Sequence, residues 1–459
     1  MLCPGRGATP SLPIPPRAPT GMVSTPLFPA HRPQATAGPT RKERQMPALD
    51  HPASAMLDLD SARRLACGLV APIGDSETLD LAQAAGRTSA TSLRAEIALP
   101  RAARSAMDGF ALRTADLAAA LTLPVAGTVA AGMQAPPLPD GAALRIFTGA
   151  QIPAGADAVV PVEEVTETGA EVQLTAAPAP GSHIRAVGSE QPLGGLLLRR
   201  GTRIRAHHIG LLASNGVAEV AVVRRPRLAI LSTGDELHRP GAEAASRDTM
   251  PDVNRPMLIA LAQGAGAEVD DHGILPDDAE ATVAKFASLQ GRYDLIVTTG
   301  AVSMGGRDHL RPALIAAGGQ IDGWKVALKP GKPVMFGRLG NAAVTGLPGN
   351  PFSAMVGFTL FVSAQIARLK GAVPAPLFHC AGRAGFDWTR KPDRAEIFPI
   401  RLGNREIDGL PVVHRLGEGT SATLFPLAEA DGLGFVPAET ARVSVGTPIC
   451  WQTFEAGAR

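Results

Sequence analysis

Between residues 222 and 372 the apolar and polar positions fall into alternating units, a short apolar run followed by a segment of 3.6-residue period. RLAILSTGDEL predicts a strand running into a polar loop, and NRPMLIALAQGAG predicts a helix closed by glycine. EVDDHGIL and YDLIVTTG read as further strands. DDAEATVAKFASLQG, capped by Asp277 or Asp278, and LRPALIAAGG read as further helices. A KPGKP hairpin, the apolar run Ala342 to Thr345 and a long helix follow, the helix carrying Phe352, Met355, Val356, Thr359, Val362, Ile366 and Leu369 on one face. Such alternation predicts an open, mainly parallel α/β sheet.

The flanks read differently. Residues 1–50 show neither apolar period, and predict a disordered leader with the composition of a transit peptide, or a start set upstream of Met46 or Met56. DLDSARRLACGLV and SETLDLAQAAG predict two helices, with Asp60 or Ser61 and Ser76 as N-caps. Together, 57–104 and 186–221 make a discontinuous connecting domain, with 105–185 inserted as a small β-rich domain. Short strand-like pieces over 373–459 predict a C-terminal β barrel or sandwich. The fold class is therefore α/β and multidomain: a central mainly parallel sheet domain, a small β domain, a helical or extended connecting domain and a barrel-like C-terminal domain.

Composition narrows the function. With 4% aromatics the chain has few stacking platforms, and its formal charge of +2 is nearly balanced, so nucleic acid is not an expected partner. Any anion selectivity must come from local clusters. The four cysteines have no CxxC spacing, which fits a reducing compartment, the cytoplasm, and no apolar run is long enough to predict a membrane span. His207 and His208 are adjacent on a helix and cannot act as an i, i+4 metal pair.

The local cluster is Lys325, Lys329 and Lys332, set among Pro330, Gly331 and Pro333, with GLPGNP (346–351) close behind. GLPGNP lies between a strand and a helix, so Pro348, Gly349, Asn350 and Pro351 form a junction that favours an oxyanion. STGDEL and TTGAVSMGGRD also follow strands. In a parallel sheet, ligands bind at the carboxyl ends of strands, so three glycine-bearing loops should share one edge. They would bring the hydroxyls of Ser232, Thr233 and Ser303, the glycines Gly234 and Gly300, and the carboxylates of Asp235, Glu236 and Asp308 toward the lysines. Acids beside cations suit a phosphate or pyrophosphate bridged by Mg²⁺. Asp108, in SAMDGF, fits either a turn or a site carboxylate, and spacing alone favours the turn. Thr148 offers a hydroxyl just after a strand. Glu429 and Asp431 read as turn formers.

SAMDGF, FTGA, LSTGDEL, TTGAVSMG, KPGKP, GLPGNP and LAEADGL, in this order, give the chain after about residue 57 a specific resemblance to the molybdopterin molybdenumtransferases. That family includes the bacterial molybdate-insertion enzyme and the E domain of gephyrin. The resemblance implies a central domain of molybdopterin-binding type and a Mg²⁺-dependent transferase that inserts molybdate into adenylylated molybdopterin, releasing AMP. It carries catalytic positions onto Asp108, Thr148, Glu236, Asp308, Lys325 and Lys329, with Glu236 and Asp308 organising Mg²⁺, and onto Pro348 and Pro351. It also implies an elongated homodimer with a shared site, Asp108 and Thr148 coming from the second subunit. A molybdopterin adenylyltransferase and apo-molybdoenzymes are the implied partners. The sequence departs from the family pattern at Ala301, at Ser189 and Glu190, at DVN (252–254) and at TLFPL. Two rival readings are a molybdopterin adenylyltransferase and a non-catalytic molybdopterin-binding scaffold; the β-rich regions argue against the first, and the lack of an extra domain on a long linker against the second.

Overall fold

The computed structural model describes residues 56–118, 120–242, 248–302, 309–417 and 424–454. The leader, Ser303 and Asp308 lie outside the described residues.

The chain enters through the helix Leu59–Gly68, whose N-cap is Asp58; its carboxylate accepts the Ser61 N–H at 2.8 Å. The expected caps, Asp60 and Ser61, are instead inside the first turn, where Asp60 complements the helix dipole. SETLD does not continue as a helix. Ser76–Asp80 is a strand, paired antiparallel with Glu219–Val223, and only Leu81–Gln83 turns helically. An available partner strand more than a hundred residues away outweighs the local helical propensity of this stretch. Short ribbons, Leu93–Arg94 with Leu196–Leu198 and Arg104–Ser105 with Ile184–Arg185, and the helix Ala206–Ser214 complete this region.

Six strands form the small β sheet, with Gly109–Leu112 buried between Ala143–Ile146 and Ala158–Pro161. Gly109 opens the first of these strands. It lies within the strand, where a Cβ would stand 1.9 Å from the Val160 carbonyl oxygen, so close strand approach requires glycine.

The central layer contains β1 (Arg227–Thr233), β2 (Glu268–Leu275), β3 (Leu295–Thr299), β4 (Gln320–Trp324), β5 (Met335–Leu339) and β6 (Ala342–Leu347), in spatial order β2-β1-β3-β6-β5-β4. The first four in that order are mutually parallel; β5 and β4 extend the sheet antiparallel. Helices α1 (Asn254–Gly264), α2 (Ala279–Leu289) and α3 (Leu310–Ala316) connect the strands, and Asp278 caps α2. Both faces of β1, β3 and β6 are buried, which is why these strands read as continuous apolar runs.

The last helix of the layer, α4 (Pro351–Leu369), contains a π-helical turn at Phe358–Val362. Phe358, Leu360 and Phe361 of that turn are buried along with Phe352, Val356, Val362, Ile366 and Leu369, while the expected Met355 and Thr359 are only partly covered. The single apolar stripe becomes a helix packed on several sides. Although long and apolar enough to cross a membrane, 72% of its apolar window is buried in the protein core.

Downstream, Ala395–Ile407 pairs with both Leu410–Arg415 and Gly432–Val436, and further pairings through Cys380–Ala384 and Pro448–Thr453 close a ring of five strands. Phe398, Ile400, Val413, Val436 and Ile449 fill it. Leu328–Lys329 joins this barrel-like sheet from outside, parallel to Ala395–Glu396. The lysine loop is therefore fastened to the C-terminal region.

Candidate functional site

The loop after β1 begins on a buried polar anchor. Ser232 Oγ donates to Asp252 at 2.8 Å, and Asp252, 1% exposed, also accepts from the backbone N–H and Nε of Arg255, which pairs with Asp271. Gly234 follows at φ +143°, and a Cβ there would lie 2.7 Å from both carboxylate oxygens of Glu236. The glycine lets Glu236 fold back over its own loop while remaining exposed. Asp235 accepts the N–H of Asp277 at 3.1 Å, a bond that ties two loops together.

The loop after β3 touches the first. At Gly300, φ +96°, a Cβ would stand 2.5 Å from the Thr233 carbonyl oxygen and 2.7 Å from its hydroxyl. GLPGNP touches the second, since a Cβ on Gly349 would lie 3.6 Å from Gly300 Cα. Thr233, Gly300 and Gly349 thus place the three loops side by side at the carboxyl edge of the sheet. Pro348 is buried, Gly349 and Asn350 are exposed, and Pro351 occupies the first turn of α4, where the missing N–H costs nothing.

Two residues that sequence reasoning did not name as site residues hold this contact. Asn254, opening α1, donates from Nδ2 to Thr299 Oγ1 at 2.9 Å and to the Gly349 carbonyl at 2.6 Å, and Thr299 Oγ1 donates to the Pro348 carbonyl at 2.9 Å. Asn254 Oδ1 and Thr298 Oγ1 are buried without a partner among the described residues. A buried acceptor left open beside three glycine loops is suited to a ligand donor. The signal for Asn254 in the sequence is the DVN triplet at 252–254, which by itself shows a departure from the family pattern and no contact.

Ala301 has φ +46°, a left-handed conformation that costs a residue with a Cβ about 1 kcal/mol. Ala301→Gly should therefore raise the urea midpoint by an amount equivalent to about 1 kcal/mol with m unchanged. An unchanged midpoint would show that the loop carries no such strain.

Lys325 is also left-handed, at φ +71°, and is held there from both sides: its N–H donates to Val334 and its carbonyl accepts from Leu57. Strain so over-determined is characteristic of a functional position. Its ammonium lies 4.1 Å from the centroid of the Trp324 ring, and the Arg311 guanidinium lies 4.0 Å from the same ring. Trp324 Nε1 donates to Val302, so the ring fixes two cations and the second loop together. Arg311 was not a sequence candidate either.

Lys329 is half exposed, and its ammonium is 3.0 Å from Glu396, a carboxylate buried to 4% exposure that also takes a 3.0 Å bond from Arg390 Nε. An ammonium has three N–H donors, so this pairing leaves two for a ligand. Lys332 is exposed, with its carbonyl accepting from Val326.

Asp108 and Thr148 meet each other. One Asp108 carboxylate oxygen accepts the Thr148 N–H at 2.6 Å and its hydroxyl at 2.7 Å, and these two bonds, the backbone one first, hold the Asp108 pKa below the ordinary carboxylate range. Both side chains are exposed. Among the described residues neither is bonded to the three-loop edge.

Comparison with known proteins gives the family of these domains. Residues 57–216 match the family described as MoeA N-terminal region (domain I and II), 229–368 the probable molybdopterin binding domain, and 381–454 the MoeA C-terminal region (domain IV). A molybdopterin molybdenumtransferase of Haemophilus influenzae is 40% identical over 319 residues, 69% of this chain and 78% of the relative. Molybdopterin molybdenumtransferase 2 of Mycobacterium tuberculosis is 33% identical over 398 residues, 81% of this chain and 93% of the relative. The crystal structure of the molybdopterin biosynthesis moeA protein from Pyrococcus horikoshii OT3 superposes with a TM-score of 0.74 at 26% identity, covering 87% of this chain and all of that one. With three matched regions in order, and close relatives covered over most of their length, the chain belongs to the molybdopterin molybdenumtransferase family.

Proposed function

We propose that this protein inserts molybdate into adenylylated molybdopterin with release of AMP, forming molybdenum cofactor. The observation that carries the proposal is the contact of the three glycine loops through Thr233, Gly300 and Gly349, with Lys325, Lys329 and Lys332 on one neighbouring stretch. Glycine at 300 and 349 lets the loops approach this closely and leaves their backbone open to a pyrophosphate. Lys325 and Lys329 supply fixed positive charge for the molybdate oxyanion, and Asn254 Oδ1 supplies an acceptor for a ligand donor.

The residues fit a magnesium ion. No group of three His, Cys, Asp or Glu side chains could enclose a metal among the described residues, but Mg²⁺ bound to a substrate phosphate needs only one or two protein carboxylates. Glu236, exposed and folded over Gly234, would hold it, with Asp308 as the second carboxylate. When bound, the ion would offset the charge of the pyrophosphate. Asp108 and Thr148 belong, in this proposal, to a site shared between the two subunits of a homodimer. A carboxylate kept ionised and rigid by two Thr148 bonds suits a role facing a partner's loops. Molybdopterin adenylyltransferase would supply the substrate and apo-molybdoenzymes would receive the product. We place the reaction in the cytoplasm, in keeping with the free thiols of Cys67, Cys380 and Cys450.

Purified protein supplied with adenylylated molybdopterin, Mg²⁺ and molybdate should release AMP, and omission of molybdate should stop the release. AMP formation independent of molybdate would overturn the proposal. Consumption of ATP with molybdopterin alone would assign the adenylyltransferase reaction instead, and tight loading without turnover would assign a scaffold.

A further inference from the structure

A second basic site lies at the other end of the same layer. Helices α1 and α4 both begin in the three-loop site, at Asn254 and Pro351, and both end, at Gly264 and Leu369, beside a cleft of about 160 Å³. At 1.5 Å per residue α4 alone separates the two places by roughly 28 Å. The cleft is lined by Arg87, Thr88 and Arg203 from the connecting segments, by Arg225, and by Gly266 and Lys370 from the helix ends. Four cations face it, and no carboxylate does among the described lining residues.

Partners account for some of this charge and not for the rest. Arg87 pairs with Glu77, and the Lys370 ammonium donates to the Ala265 carbonyl at 2.5 Å. Arg203 and Arg225 have no ion pair among the described residues. Two helix carboxyl ends bring about one negative charge between them, which one of the three remaining cations offsets. About two positive charges stay unmatched. Burial, with Arg203 and Arg225 adding repulsion, pushes the Lys370 pKa down to about 8. Thr88 is 2% exposed and its hydroxyl has no partner among the described residues, an open polar group in the wall of a positively charged cleft. Pockets for drug-sized ligands start at about 300 Å³, so the space here suits a small ion and excludes a nucleotide.

We propose that this cleft binds a small tetrahedral dianion, inorganic phosphate or sulfate, held by Arg203, Arg225, Lys370 and the Thr88 hydroxyl. Its charge matches the unmatched pair, and its oxygens accept from every donor that faces the space. Because Thr88 and Arg203 come from the connecting segments and Lys370 from the end of α4, the ion would tie the connecting region to the α/β layer. It would also stabilise the folded protein by mass action.

The test uses the full-length protein and the reactivity of Lys370 toward an acetylating succinimidyl ester, read by mass spectrometry of the Lys370 peptide at constant ionic strength. Saturating inorganic phosphate should slow this acetylation about tenfold, the effect of an opposite charge raising the amine's pKa by one unit. Sulfate should act in the same way. Arg203→Gln/Arg225→Gln, which changes only exposed side chains, should abolish the protection, whereas Lys329→Ala/Lys332→Ala should retain it. Equal rates in phosphate and in chloride would overturn the proposal, as would protection that survives loss of both arginines or disappears with the two lysines. The chloride comparison needs no variant and decides the matter if the double arginine variant fails to fold.

Discussion

Lys329→Ala should lower molybdate-dependent AMP release by roughly two orders of magnitude while leaving the protein folded. A charge-assisted hydrogen bond contributes up to about 3 kcal/mol, and each 1.36 kcal/mol is tenfold in rate. The side chain is 46% exposed, and Glu396 keeps its bond from Arg390 when the lysine is gone, so little of the fold depends on the ammonium. Its remaining value is for a ligand. A variant with wild-type turnover would remove Lys329 from the reaction.

The same variant reports on the proposed shared site. Asp108→Ala should also be nearly inactive, because Asp108 holds Thr148 through both its N–H and its hydroxyl. If the two residues serve one site from different subunits, mixing the unfolded variants and refolding them should restore activity. Half of the dimers would then be mixed and each would hold one intact site in two, or about a quarter of wild-type activity. No recovery would place both residues in the same subunit's site or leave the protein monomeric.

The central layer was legible because its signals are local. LIVTT, ended by Gly300, and AAVTGL, ended by Pro348 and Gly349, are short apolar runs, and the parallel sheet they form puts the loops on one edge whatever the side chains do. Gly234, Gly300 and Gly349 were legible for the same reason: backbone approach needs glycine, and glycine is visible in a sequence. Long-range pairing was not. SETLD became a strand only through Glu219–Val223, and Gly109 met Val160 across 51 residues. The supporting polar contacts were equally hidden. Asn254 links Thr299 and Gly349, Trp324 gathers Arg311 and Lys325, and Glu396 reaches Lys329, each joining residues from separate elements. Only the isolated acid in AEIFPI, a single charge within an apolar strand, hinted at one of them.

That acid gives the largest stability effect to be expected. The Glu396 side chain is 4% exposed and stands opposite Arg390, whose side chain is 2% exposed, so Glu396→Ala leaves a buried guanidinium without its counter-charge. Loss of one partner of such a pair costs about 3–5 kcal/mol. Arg390 keeps its bonds to the carbonyls of Pro437 and Thr440, which satisfy its N–H groups and do nothing for its charge. Urea unfolding should show the full loss in Glu396→Ala. Glu396→Leu/Arg390→Met, which removes both charges, should regain much of it, because an apolar pair of similar volume often matches a buried ion pair. The double variant separates stability from function, since Lys329 loses its anchor in both cases. AMP release should stay impaired in the restabilised protein, as the lysine strand Leu328–Lys329 is still paired with the barrel but its ammonium is free to swing from the site. Full activity in the double variant would show that backbone pairing alone positions Lys329, and a single variant as stable as wild type would show that the charge of Arg390 is met elsewhere.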